Sequence, residues 1–206
     1  MSKGQVILAQ QDEAIGLYMA GLLGEAAPVS REPLRNGDAP VTEVDGQPVP
    51  KWAHYPFQVT LLRTGGLTFA LPDPYVAQVQ PASKRGAARK DDPSWLVGVI
   101  EHHGRRVRCV DATGIATRFR RQQRQSPEAV VVMIDQHDWA LLCDSVSEQL
   151  LDPVSVLWRG ANGQRPWLAG VTRDQKIVLL DPLGLPAYLD TIGQQERSRP
   201  AETGPD

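Results

Sequence analysis

Residues 95–115, WLVGVIEHHGRRVRCVDATGI, and residues 167–185, WLAGVTRDQKIVLLDPLGL, follow one pattern. Each opens on Trp-Leu-small-Gly-Val, crosses a polar stretch, climbs through Val-rich residues to an Asp, and closes on Gly-Ile or Gly-Leu. Trp95 and Trp167 stand 72 positions apart. The same offset lays FQVTLLRTGGLTFALPDPYVAQVQP (57–81) over AVVVMIDQHDWALLCDSVSEQLLDP (129–153). Both of these begin as a short apolar run, break at a turn, resume apolar, and end on Pro81 or Pro153. Repetition at a fixed period marks a duplicated structural unit. The units span about 57–118 and 129–189.

Each unit reads as β. Gly65-Gly66 separates two runs of strand length, and a tight two-residue hairpin turn needs positive φ. EHHGRR supplies a second hairpin turn between LVGVI and VRCVD. TRDQK does the same in the second unit and is shorter, a difference that a loop tip absorbs. Frequent turns between short strands predict an all-β fold of small barrels or a sandwich. The recurring Asp111 and Asp181 read as helix caps, each followed by one turn and a glycine stop at Gly114 or Gly184.

Residues 6–23 place Ile7, Ile15, Tyr18, Met19, Leu22 and Leu23 at helical spacing. The expectation is a short helix over 1–24, packing on its own domain or docking a partner through Ile15, Tyr18, Met19 and Leu22. Five prolines between Glu25 and Lys51 predict a flexible linker over 25–54. The polar end, 191–206, reads as a loose tail.

Composition narrows the function. A formal net charge of −2 gives no field that favours nucleic acid. The basic runs Lys84, Arg85, Arg89, Lys90 and Arg118, Arg120, Arg121, Arg124 read as solvated loops without interleaved aromatics. No window has the roughly 18–20 apolar residues of a membrane span, and the start lacks a secretory layout. Cys109 and Cys143 lie in apolar runs, where small buried thiols are expected over a bridge, and a cytoplasmic setting fits. No nucleotide loop, zinc spacing or nucleophile elbow occurs, and no metal or cofactor is expected. Trp95, Trp139 and Trp167 read as core; Trp52 and Trp158 fall outside the repeat and are candidate interface residues.

The combination of GRRVRCVDA, LLCDSVSEQ and WLAGV…VLLDPLGL resembles the CheW-like domain family over about 55–190. That is the fold of the chemotaxis coupling protein and of the CheA kinase regulatory domain. The resemblance implies two five-stranded SH3-like β-barrel subdomains, no catalysis, and partners in the CheA-type histidine kinase and chemoreceptor cytoplasmic tips. Where the family commonly has an Arg before the hairpin glycine, a Pro in the next strand and an acidic residue after the second strand, this chain has His103, Arg108 and Gln78. With PKWAHYPF leading into the domain, the chain looks closest to the ParP type of array adaptor. That type implies a ParA-like partitioning ATPase as partner of the N-terminal arm and placement with arrays at the cell pole. The protein-binding residues carried over by position are Val76, Gln78, Val79, His103, Arg105 and Arg106. An ordinary coupling protein of a non-flagellar pathway is the alternative within the family. A small β-barrel enzyme using His103 or Cys143 is the alternative outside it.

Overall fold

A computed structural model describes residues 40–88, 92–93, 95–117, 128–159 and 165–197. The expected N-terminal helix, with Ile15, Tyr18, Met19 and Leu22, lies outside the described residues, as do 25–39 and 198–206. The strands are β1 (Glu43–Val44), β2 (Gln47–Pro48), β3 (Phe57–Thr64), β4 (Leu67–Pro72), β5 (Val76–Pro81), β6 (Leu96–His102) and β7 (Arg105–Asp111). They continue as β8 (Val130–Ile134), β9 (Trp139–Cys143), β10 (Ser145–Leu151), β11 (Val156–Trp158), β12 (Leu168–Thr172) and β13 (Val178–Leu180). Among the described residues two α-helices, α1 (Ala112–Thr117) and α2 (Gly184–Arg197), each follow the last strand of a unit.

The boundary between the sheets does not follow the boundary between the repeats. Sheet I runs β10-β3-β4-β13-β12-β11, and sheet II runs β5-β8-β9-β7-β6. Each sheet therefore takes the first hairpin of one unit and the later strands of the other. The joints are parallel pairs, β4 with β13 and β7 with β9. In sheet II the place of β11 is taken by a single bridge, Gly86 to Val99, matching Leu157 to Val171 in sheet I. The two edges of sheet I, β10 and β11, are joined through one 3-10 turn, Pro153–Ser155. Five residue steps reach at most about 17 Å, whereas six flat strands would part the edges by about 24 Å. Sheet I must therefore curl.

Three cores result. Leu62, Phe69, Leu71, Trp139, Leu141, Val178 and Leu180 meet in a central core between the sheets, joined by both repeat tryptophans, Trp95 and Trp167. Val59, Leu61, Ala70 and Leu179 alternate with them to fill the outer core of sheet I. Cys109, Val131, Met133, Ala140 and Leu142 fill that of sheet II. Successive side chains on a strand point to opposite faces. With both faces buried, VVVMI and WALLC are apolar throughout.

The Trp-Leu-small-Gly-Val motif now has a cause. A Cβ on Gly98 would stand 2.5 Å from the Arg85 stem and from the Gly86 carbonyl oxygen. One on Gly170 would stand 2.7 Å from the Leu157 oxygen and Val156 Cγ1. In both copies a neighbouring segment crosses over the strand at the glycine, and the ladder register shifts there.

Three expectations need correction. Asp111 and Asp181 do cap: Asp111 Oδ1 accepts from the Thr113 amide at 2.9 Å, and Asp181 Oδ1 from those of Leu183 and Gly184 at 2.9 and 2.8 Å. Their glycines are not stops, however. Gly114 is buried inside α1, and Gly184 opens α2, where a Cβ would collide with the Pro166 carbonyl at 1.9 Å. The expected tail boundary at 190 falls inside α2, which continues to Arg197 with Leu185 and Leu189 in the central core. Residues 40–54, read as linker, form the β1–β2 hairpin and a 3-10 turn whose Val44, Val49 and Ala53 cap the outer core of sheet I. Asp45 of that hairpin is held by Arg173 at 2.5 Å.

Candidate protein-binding surface

The residues singled out for partner contact lie at one end of sheet II. Val76, at the start of β5, pairs with Ile134 at the end of β8. The turn from Asp135 leads to Trp139, which pairs with Arg108, and β7 runs from there to the β6–β7 hairpin tip. The β5 start, the β8–β9 turn and the hairpin tip therefore share one rim.

Along β5, Val76 is half-buried and packs against the central core, whereas Ala77 and Gln78 are exposed and Val79 is 40% exposed. The ladder register shifts between Val76 and Gln78, and beyond it Gln78 and Val79 are both exposed along the edge strand of sheet II. Surface valines occur singly in any protein; this one sits on an edge strand beside an exposed glutamine.

At the hairpin, His103 and Gly104 adopt φ of 48° and 74°, the paired positive values of a tight primed turn. His103 is exposed, and its ring stands edge-on to His102 with centroids 4.1 Å apart.

The arginines of β7 are each paired with a carboxylate. Arg105 Nη2 donates to Asp138 Oδ1 of the β8–β9 turn at 2.6 Å. Arg106 Nη2 donates to the buried Asp92 Oδ2 at 2.6 Å. Arg108 Nη2 donates to Asp190 Oδ1 of α2 at 2.7 Å and lies 3.7 Å over the Trp139 ring. Each arginine of this strand thus fastens the hairpin to a different element. Exposed on this rim beside those pairs are Gln78, Val79 and His103.

The Arg108–Trp139–Asp190 group was not foreseen. Trp139 Nε1 donates to the same Asp190 Oδ1 at 3.1 Å, and Trp139 stacks on Trp95 at 5.8 Å. The signal for α2 was present in Leu185, Tyr188, Leu189 and Ile192 at helical spacing, interrupted by Pro186 and Gly193. Trp52 and Trp158 are corrected as interface candidates. Trp158 is buried with its Nε1 donating to the Pro153 carbonyl at 2.8 Å, and Trp52 packs edge-on against it and Phe57 at 5.8 and 5.4 Å.

The two residues of the enzyme alternative, His103 and Cys143, stand apart in this geometry. Cys143 ends β9 at the opposite end of sheet II from His103, so the two do not meet. Burial pushes its thiol up to about 12, with Asp144 adding to the effect, and Cys109 is also raised to about 12 by burial. Thiols at that value carry almost no thiolate at neutral pH. Among the described residues no group of three His, Cys, Asp or Glu is placed to hold a metal. No helix among them is long and apolar enough to cross a membrane.

Comparison with known proteins agrees with this architecture. The CheW-like domain model matches residues 58–187. The crystal structure of the scaffolding protein TtCheW from Thermoanaerobacter tengcongensis superposes with a TM-score of 0.51 at 14% identity, over 61% of this chain and 89% of that one. No curated protein sequence matches the chain.

Proposed function

The chain belongs to the CheW-like domain family, and from that premise we propose that it is a non-catalytic adaptor of chemotaxis-type signalling arrays. In this reading the rim of sheet II, through Val76, Gln78, Val79 and His103, binds the CheW-like regulatory domain of a CheA-type kinase or the cytoplasmic tips of chemoreceptors. Arg105 and Arg106 serve by holding the hairpin in place. The closed, SH3-like form of both sheets belongs to the same reading, as does a cytoplasmic location at the arrays. The family match over 58–187 is the observation that carries it.

The finer proposal is a ParP-like role, in which the arm ahead of the domain engages a ParA-like partitioning ATPase at the cell pole through Ile15, Tyr18, Met19 and Leu22. What supports it is an N-terminal arm lying outside the family match, with an apolar helical spacing of its own. An ordinary coupling protein of a non-flagellar pathway is the competing reading, favoured by the family match alone.

Two experiments test these readings. Pull-down of the full chain with purified kinase regulatory domain and with receptor cytoplasmic fragments tests the adaptor role; capture of neither would end it. Removing residues 1–39, and not 1–54, separates the two finer readings, because 40–54 cap the outer core of sheet I. An ordinary coupler keeps coupling and localisation without the arm. A polar adaptor keeps its fold and array binding but loses its polar focus.

A further inference from the structure

The two sheets are built from matching strands, yet their outer cores differ in two matching positions. The 3-10 turns Ala82–Lys84 and Pro153–Ser155 occupy the same place, each leading to the segment that crosses over the motif glycine. Two residues before the turn stand Gln80 in one copy and Leu151 in the other; directly after it stand Arg85 and Val156. Leu151 and Val156 are buried in the apolar outer core of sheet I. Gln80 is also buried, at 9% exposed, in register with Val131 of the outer core of sheet II. The Arg85 stem lies over Gly98, and its guanidinium reaches Cys109 of that same core.

Apolar residues would serve this position, as sheet I demonstrates. Instead sheet II carries an amide and a cation, and Gln80 Nε2 and Arg85 Nη1 are both buried without a hydrogen-bond partner. Buried donors are satisfied in the great majority of proteins, and an orphaned one costs about 1–3 kcal/mol, more when charged. Both orphans are donors, one of them cationic, so the missing partner is an acceptor and its favoured charge is negative. Arg85 is half-buried as a whole, with exposed Lys84 and Gly86 beside it in the chain.

We propose that Gln80 and Arg85 form a binding site for a small monoanion of the carboxylate class at the edge of the outer core of sheet II. Arg85 supplies the charge, Gln80 the second donor, and the crossing over Gly98 holds the arginine stem in place. The site is independent of the partner surface on the rim.

The test uses the full chain and sodium acetate as probe, with thermal unfolding as readout. A ligand that binds only the folded state raises Tm steadily once its concentration exceeds the dissociation constant. For a chain of this size the rise is about 3–5 °C for each tenfold increase in acetate. The comparison protein is the double variant Gln80→Leu, Arg85→Val, which installs the pair found in sheet I. It should respond to acetate only through the general salt effect that both proteins share. Parallel curves for the two proteins overturn the proposal. Should the double variant not fold, Gln80→Leu alone is read in the same way. Line broadening of 13C-labelled acetate by the wild-type protein, displaced by excess unlabelled acetate, is expected; sharp unperturbed lines also overturn it.

Discussion

Adding one methyl group at either motif glycine should distinguish the crossing segments from a mere loop preference. In Gly170→Ala the new Cβ meets the Leu157 carbonyl oxygen and Val156 Cγ1 at 2.7 Å. The oxygen belongs to the ladder between β11 and β12, so it cannot move without breaking that pairing. Overpacking of this kind costs about 1–3 kcal/mol. In Gly98→Ala the contacts are closer, at 2.5 Å, and the backbone φ of 157° is one that side chains rarely adopt. The Arg85 stem can yield, but the Gly86 oxygen cannot, so about 2–4 kcal/mol is expected once backbone strain is added. Gly86→Ala is the internal control: its Cβ would find nothing nearer than 3.6 Å and needs no unusual φ. It should be neutral or stabilise by about 0.5 kcal/mol through the unfolded chain. Urea unfolding of the three variants with a common m-value gives the comparison directly. For a protein of this size the Tm losses should be about 2–4 °C per kcal/mol. If Gly98→Ala and Gly170→Ala unfold with Gly86→Ala, the crossing-strand explanation of the repeat is wrong.

Other consequences follow from the site geometry. Val79→Asp places a charge on the exposed face of β5, so binding to the kinase regulatory domain should weaken at least about tenfold. Its Tm should stay within about 2 °C of wild type, and unchanged binding would remove β5 from the contact. Asp190→Asn removes the charge that accepts from both Arg108 and Trp139. Half-exposed pairs are weak, so a loss of about 1 kcal/mol is expected, together with a shift in tryptophan emission; an unaltered spectrum would mean that α2 is held elsewhere. The thiols give a pH dependence with a definite sign. Their folded pKa, about 12, lies above the ordinary 9.0, so the folded state keeps protons that the unfolded chain loses. Stability from this source is intact below pH 9 and falls as pH rises toward 12, by up to about 1.4 kcal/mol per pH unit for each thiol. The double variant Cys109→Val, Cys143→Val should show a shallower alkaline loss than wild type, and identical slopes would contradict the burial of the thiols.

How much of this was legible depended on the distance over which each feature is specified. The hairpins at Gly65-Gly66 and at His103-Gly104 were readable because a primed turn needs its residues within four positions. The caps at Asp111 and Asp181 were readable for the same reason. The glycines after them were misread, because what requires Gly184 is the Pro166 carbonyl against its Cα, a contact that no local rule records. The exchange of hairpins between the sheets was invisible. It rests on parallel pairs such as Val178 with Phe69, and strands buried on both faces carry no alternation to show which side faces what. Residues 40–54 passed for linker because Val44, Val49 and Ala53 are spaced without period among prolines. Tertiary packing alone makes them a cap.

The ion pairs of the hairpin arginines were not legible for a related reason. Charges read from sequence default to solvent, but Arg105, Arg106 and Arg108 find their carboxylates 33, 14 and 82 positions away. With those pairs formed, the proposed contact at the rim rests on shape and on Val79, Gln78 and His103. This has a consequence for salt. A contact carried by free arginines would weaken steeply as salt screens it, whereas one carried by Val79 and neutral hydrogen-bonding groups should hold its affinity. Measuring affinity for the kinase regulatory domain in low and high sodium chloride separates the two. A change of no more than about threefold is expected from the pairing of the arginines. A loss approaching a hundredfold would show that Arg105 and Arg106 leave their aspartates to meet the partner, and that the rim is basic after all.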